Sequence, residues 1–288
     1  MKFSNKLKAM AAAIAVLTLS AASAVTGTVA WFTANNLVSV SGMNIQAEAE
    51  QGIVVSNEAK SLWKTSATAS HSGANAQFVP TSTSTTTTWY HGFASNAANG
   101  QEYESIAAIS PVDNVTTPTA YGTADDGIFG FLDTSAWKNV YLLNSFYIQS
   151  SSINAINGQD IFVRDFEAKV GESAPAQELS KSLRVAVIKH GGATPVIVAP
   201  VSGADASYEV GPVGSKTSFT ATTTTNVNTL EIDSNVNIPA YDANGASALQ
   251  YDVFVYFEGE DAACKSNNIV ASLEQLSVSF KFGNKVAD

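Results

Sequence analysis

Cysteine is almost absent from this chain of 288 residues: Cys264 is the only one. An intramolecular disulfide is excluded, and with it the small disulfide-stapled scaffolds of secreted proteins. A free cysteine is more often a small buried hydrophobe than a reactive thiol, and Cys264 is expected to be buried. Charge is scarce as well. Only 14% of residues are Asp, Glu, Lys or Arg, and the balance is negative at −10, which disfavours nucleic acid and anionic lipid as partners. Histidine is limited to His71, His91 and His190. None sits in His-Glu-x-x-His, and no two have helical ligand spacing, so a zinc hydrolase lacks its usual ligands. There is no Gly-x-Ser-x-Gly elbow and no phosphate-binding loop. The acids are too scattered for a glycosidase pair to be located by spacing. The chain is therefore expected not to be an enzyme and to need no cofactor.

Long apolar runs are missing too, except at the start. Lys2, Lys6 and Lys8 form a basic head, Ala9 to Leu19 an apolar body, and Ser20 to Ala30 a small-residue exit. These are the three parts of a secretory signal peptide. The apolar part is shorter than the roughly 20 residues of a spanning helix, so a cleaved signal over residues 1–30 is expected rather than a retained anchor. Small-x-small cleavage sites occur at Ala22-Ser23-Ala24 and Thr28-Val29-Ala30, and the cut is placed between Ala30 and Trp31. The mature chain, residues 31–288, then suits one large β domain. It is secreted, to the cell surface or matrix, with no membrane contact after cleavage. Loss of three lysines makes it three charge units more acidic.

What the mature chain does contain is Thr, Ser, Val, Asn, Gly and aromatics, a composition of strands and turns. Alternating runs predict strands over Leu37–Ser41 and Met43–Ala47, Gly52–Ser56, Val140–Ser150, Ile161–Val170, Leu183–Lys189, Pro195–Val201, Leu249–Glu258 and Leu276–Phe282. In the fourth of these, Phe162, Arg164, Phe166 and Ala168 are expected on one face, with Val163, Asp165, Glu167 and Lys169 on the other. Gly191-Gly192 marks a hairpin between the Leu183 and Pro195 strands. Short helices are expected at Ala176–Ser182 and Val270–Gln275. With so few helices between strands, the expectation is an all-β, antiparallel jelly-roll-like sandwich with short helices.

Two tracts are biased: Thr81–Thr88 (TSTSTTTT) and Thr220–Thr225 (TATTTT). Both read as exposed edges or extended loops, with hydroxyls open to glycosylation. Residues 59–135 form a long Ser/Thr-rich insertion or decoration with scattered aromatics. Acidic clusters at Asp125-Asp126-Gly127 and at Glu258, Glu260 and Asp261 offer hard oxygen ligands. The second is a weak calcium candidate, and both read more readily as solvated acidic turns. Asn114-Val115-Thr116 is a glycosylation sequon.

Cleavage after Ala30 exposes Trp31-Phe32-Thr33-Ala34-Asn35-Asn36-Leu37-Val38-Ser39-Val40, an uncharged, β-prone arm. A free N-terminal strand can complete its own sheet or add to an open sheet of a neighbour. Repeated head to tail, the second contact makes a filament.

The junction Gly27-Thr28-Val29-Ala30-Trp31-Phe32-Thr33, with Val40-Ser41-Gly42-Met43-Asn44-Ile45 downstream, resembles the TasA/camelysin family of secreted biofilm-matrix fibre proteins with SipW-type signal peptides. Val255 to Cys264 and Leu276 to Phe280 are similar to the endings of related surface proteins. The likeness covers about the first 50 and last 40 residues. It implies a jelly-roll-like sandwich and assembly into fibres by donor-strand exchange. The donor would be residues 31–46, with Trp31, Phe32, Leu37, Val38, Val40, Met43 and Ile45 entering the next subunit's core. The partner implied is a second copy of the chain, with other matrix components or an anchoring subunit beside it. The alternative is a monomeric cell-surface module binding glycan or another cell surface through Trp89, Tyr90 and Trp137. A secreted hydrolase using His91 or His190 ranks last.

Overall fold

The computed structural model describes residues 38–40, 43–50, 52–57, 60–71, 76–78, 80–94, 101–107, 138–139, 141–210, 217–223, 229–259, 261, 263–264 and 276–286. In chain order the elements are β1 Val38–Val40, β2 Met43–Ala49, β3 Ile53–Ser56, β4 Ser66–His71, β5 Ala76–Phe78, β6 Thr88–Ala94, β7 Gln101–Ala107, β8 Lys138–Asn139, β9 Leu142–Ser150 and β10 Ile156–Val170. Helix α1 Ala174–Ser180 follows. Then come β11 Leu183–Lys189, β12 Val196–Ala199, β13 Ser207–Val210, β14 Thr217–Thr220, β15 Thr222–Thr223, β16 Leu230–Ile238, β17 Leu249–Phe257 and β18 Leu276–Val286. The protein is all-β, as its composition implied. The expected Val270–Gln275 helix, Asp125–Gly127, Asn114 and the cleavage junction lie outside the described residues.

Eleven of these strands make two sheets, ordered β16-β10-β18-β2-β4 and β15-β12-β11-β17-β9-β3. They bury one shared apolar layer. Met43, Ile45, Ala47, Ile161, Val163, Val278, Phe280 and Phe282 come from the first sheet, and Val55, Phe146, Ile148, Val185, Tyr251, Val253 and Val255 from the second. Phe280 stacks on Phe166 with centroids 5.4 Å apart, and its edge meets Phe146 across the layer at 6.0 Å. The sheets are mixed, not purely antiparallel. The sandwich's first strand, β2, lies beside its last, β18, and the two run parallel from Met43↔Leu276 to Ala49↔Phe282. A hairpin cannot make a parallel pair, and here the rest of the domain is the crossover.

The run at Ile161–Val170 is a strand but not a simple alternation. Ile161, Val163 and Phe166 all face the core. The change of parity between 163 and 166 falls at a break in the β10–β18 register between Arg164 and Glu167, with Asp165 at φ 53°. A bulge adds one residue and so exchanges the faces of everything beyond it. The expected grouping of Phe162 with Phe166 is thereby corrected: Phe162 faces outward.

Helix α1 spans Ala174–Ser180, two residues earlier than the Ala176–Ser182 reading. Its N-cap is Ser173, whose Oγ accepts from the Ala176 N–H at 3.4 Å, and Pro175 sits in its first turn. Ala176 and Leu179 enter the core. Gly191, at φ 74°, makes the expected tight link from β11 to β12. β16 (LEIDSNVNI) was not among the expected strands, because Asp233, Ser234 and Asn235 dilute its alternation; it is the edge that pairs with β10.

The six-stranded sheet is covered on both faces. Trp89, Tyr141, Leu143, Ala186, Ile188, Ile197, Tyr208, Val210, Phe254 and Tyr256 form a second apolar cluster on its outer side. This explains why Leu183–Ile188 and Tyr251–Phe257 are buried without interruption. A strand wet on one face would have alternated. Two expectations are corrected here. Residues 59–135 are not wholly a decoration, since β4 is a strand of the sandwich. The Thr81–Thr88 tract is not simply exposed: Thr81, Ser82, Thr83 and Thr86 are buried. The Thr83 hydroxyl accepts from the backbone N–H groups of Thr85 and Thr86 and donates to the Thr88 carbonyl, folding the tract into a turn. Among the described residues no helix is long and apolar enough to cross a membrane.

Candidate functional site

The N-terminal segment is the first place to look, because free strands carry assembly information in their backbone. Of the expected donor residues, Trp31, Phe32 and Leu37 lie outside the described residues. Val38 and Val40 belong to β1, which pairs with β5 over three residues, Val38↔Phe78 to Val40↔Ala76. Met43 and Ile45 are each 1% exposed in this chain's own core, on β2. That is a correction: two of the seven residues expected to enter a neighbour already have a seat at home. The seat is a deep one. β2 lies between β18 on one side and β4 on the other, and among the described residues β2 is β4's only ladder partner. Its alternation Met43, Ile45, Ala47 inward and Asn44, Gln46, Glu48 outward fixes the register, since a one-residue slip would drive three polar side chains into the core.

The acidic turn after β17 has a different role from the one its composition suggested. Glu258 and Asp261 are 0% and 2% exposed, and Glu260 lies outside the described residues. The cation beside these acids is Arg184, itself fully buried, whose guanidinium donates to Asp261 Oδ2 at 2.8 Å and to the Lys181 carbonyl at 2.8 Å. Burial opposes its charge, but Glu258 and Asp261 outweigh that, and its pKa lies above the ordinary arginine value. The guanidinium thus supplies the positive charge that a calcium ion would have brought. Among the described residues no group of three or more His, Cys, Asp or Glu is placed to hold a metal.

Around this pair the polar groups tie three segments to the outer face of the six-stranded sheet. Ser82 Oγ donates to Glu258 Oε1. The Thr81 N–H donates to the Phe257 carbonyl at 2.9 Å, and the Gly259 N–H donates back to Thr81 at 3.0 Å. The Tyr208 hydroxyl donates to the Thr83 carbonyl at 3.2 Å and lies 3.4 Å from that of Tyr256. Burial raises the pKa of both tyrosines, and Cys264, fully buried beside Ser182, is raised by burial too. Cys264 is a packed thiol, as its solitude suggested.

A second polar group lies further along the same face. Ser145 Oγ donates to Asp252 Oδ1 at 2.7 Å, and His190 Nδ1 meets Asp252 Oδ2 at 2.7 Å. Ser, His and Asp are together, but the carboxylate stands between the other two. A nucleophile needs the histidine on its own oxygen; here the serine proton is held by the acid. The side chains of His71 and His91, on β4 and β6, lie outside the described residues. Trp89, expected to be an exposed glycan platform, is 1% exposed, its indole donating to the Thr86 carbonyl at 3.1 Å. Its place in the outer cluster corrects that expectation. Trp137 and the side chain of Tyr90 lie outside the described residues.

A cleft of about 440 Å³ on the five-stranded sheet is lined by Glu50, Phe162, Arg164, Gly283, Asn284 and Lys285, among others. Its Glu50 and Arg164 neutralise each other as an ion pair. No protein-family model, curated protein or solved structure matches the chain.

Proposed function

We propose that this protein is a non-catalytic structural subunit of an extracellular filament or biofilm-matrix fibre. It assembles head to tail by strand addition from its N-terminal segment, after export and cleavage before Trp31. The observation that carries the reading is the division of labour within the first residues. β2 is locked into its own sheet by two ladders and three core side chains, whereas β1 just ahead is held by a three-residue ladder. A short ladder is inexpensive to exchange for an equivalent one on a neighbour. The donor segment proposed is accordingly Trp31–Val40, with Met43 and Ile45 as its anchor rather than its tip.

The same reading makes the wiring jelly-roll-like. It is supported by the way the chain alternates between sheets at β2, β3 and β4, again at β9, β10 and β11, and again at β16, β17 and β18. The resemblance at the cleavage junction points the same way. The glycan-binding alternative has lost Trp89 as an exposed contact.

The test is a pair of mature chains, one beginning at Trp31 and one at Ser41, viewed by negative-stain electron microscopy. The first is expected to form filaments and the second to stay monomeric with an unchanged thermal midpoint. Normal filaments from the chain beginning at Ser41 would refute the assignment.

A further inference from the structure

The five-stranded sheet has one face in the core and one in water. From β2, Asn44, Gln46 and Glu48 alternate with the core residues, and from β18 Ser277, Ser279 and Lys281 do the same. Among the described side chains of this sheet, Phe162 is the one aromatic ring on that outer face; Phe166, Phe280 and Phe282 are all in the core. Phe162 is half-buried and forms one wall of the cleft of about 440 Å³. That volume lies within the roughly 300–1,000 Å³ of small-ligand sites, where a few placed polar groups accompany an apolar surface.

The polar groups beside the ring are held in place. Gly283 stands opposite Phe162 on β18. Its missing side chain serves space: a Cβ there would lie 2.7 Å from Glu50 Oε2, so the glycine lets the Glu50 carboxylate lie across the strand. Glu50 is fixed at both ends, its N–H donating to the Phe282 carbonyl at 3.0 Å and its carboxylate paired with Arg164. Arg164 is two residues along β10 from Phe162, with no break of the β18 register between them, and so shares its face. Asn284 Nδ2 donates to Gln159 Oε1 at 2.8 Å, which orients a further amide in the lining, and Lys285 follows it. Arg164 Nε is buried and has no hydrogen-bond partner among the described residues. A buried donor left without an acceptor is costly, and this one belongs to a side chain that lines the cleft.

The lining selects its ligand by charge and hydrogen bonding. A phosphate or other anion would meet the Glu50 carboxylate, and a cation would meet Arg164 and Lys285. An apolar chain would strip water from all three without replacing it. A hydroxyl donates and accepts at once, which suits a carboxylate and a guanidinium standing side by side. A sugar ring carries several hydroxyls on its rim and apolar C–H faces that pack on an aromatic ring. We propose that this cleft binds a neutral pyranose unit of a polysaccharide, packed on Phe162, with adjacent hydroxyls bridging Glu50 and Arg164. The site needs no second copy of the chain and stands apart from the filament reading.

The experiment measures depletion of the mature chain, beginning at Trp31, by beads coated with a soluble glucan, a galactomannan, glycol chitin or polygalacturonate, with uncoated beads as baseline. Depletion gives an apparent Kd whether the chain is monomeric or polymerised. At least one of the three neutral polysaccharides is expected to bind. Phe162→Ala and Arg164→Gln are each expected to raise that Kd by about tenfold or more, as for loss of a central contact residue. Both side chains point outward, so cooperative thermal unfolding should be retained; if Phe162→Ala does not fold, Arg164→Gln decides alone. Lys169→Ala, exposed on the same sheet and outside the cleft, is expected to bind like the native chain. Depletion by the neutral polysaccharides no greater than by bare beads would overturn the proposal. So would native affinity in both cleft variants. Binding confined to polygalacturonate and abolished by salt would mean capture of an anion by Arg164 and Lys285, and would overturn it as well.

Discussion

Replacing Ile45 by alanine distinguishes a strand that belongs to its own subunit from one that is lent to a neighbour. In the structure Ile45 is 1% exposed and its backbone is paired on both sides, with Val278 and with Ala69. Truncation removes three carbon atoms, worth about 0.8 kcal/mol each in transfer from water. The walls around it are strands held by ladders on both sides and collapse poorly, so a cavity contribution adds to this. Large-to-small changes of this kind cost about 2–5 kcal/mol, and about 3–4 kcal/mol is expected here. The measurement belongs in the chain beginning at Ser41, where no arm remains and assembly cannot mask the result. Urea unfolding followed by tryptophan fluorescence should show a lower midpoint with an unchanged slope, because the surface exposed on unfolding is the same. A domain of this size should also lose about 2–4 °C of thermal midpoint per kcal/mol. A loss below about 0.5 kcal/mol, the level of a typical surface substitution, would mean that Ile45 is not in its own core. The division between anchor and donor would then be wrong.

Arg184→Met should cost about 3–5 kcal/mol, because it leaves Asp261 and Glu258 buried without their cation. Adding Asp261→Asn should recover part of that loss in a double-mutant cycle, and strict additivity would contradict the pairing. Trp89→Ala should destabilise by about 3–5 kcal/mol as a core truncation, whereas a tryptophan acting as an exposed ligand platform would change polysaccharide retention and leave the midpoint alone. Stability should also fall in alkali. Tyr208, Tyr251, Tyr256 and Cys264 all have pKa values raised by burial. The folded state therefore keeps protons that the unfolded chain releases, above about pH 8.5 for the thiol and about pH 10 for the phenols. This contribution is complete below those values and is lost as pH rises beyond them; a midpoint unchanged between pH 8 and 11 would contradict it. Until unfolding, Cys264 should resist thiol reagents.

Much of the architecture was legible in the pattern of residues, for local reasons. Strands such as Leu183–Lys189 and Leu249–Phe257 announce themselves because β-branched and aromatic residues cluster between turn formers. β2 does so through strict alternation. Failures occurred where a distant part of the chain decides. The Thr81–Thr88 tract has nothing apolar to bury, yet it is buried because Glu258 and Tyr208, far away in sequence, provide partners for its hydroxyl and carbonyl groups. Phe162 faces outward because of a bulge that the run itself does not show. Glu258 and Asp261 read as a solvated turn because the arginine that neutralises them sits on another strand.

By itself, then, the sequence determined the all-β class, the positions of most sandwich strands and the burial of its single thiol, since these follow from periodicity and composition within short windows. Tertiary structure alone decided that β2 lies buried between β18 and β4, that Trp89 is core, and that Arg184 pairs with Asp261 where a metal was conceivable. The physical reason is the same in each case. Burial and charge neutralisation depend on which surfaces meet, and a linear pattern records what a segment can bury but not what arrives to cover it.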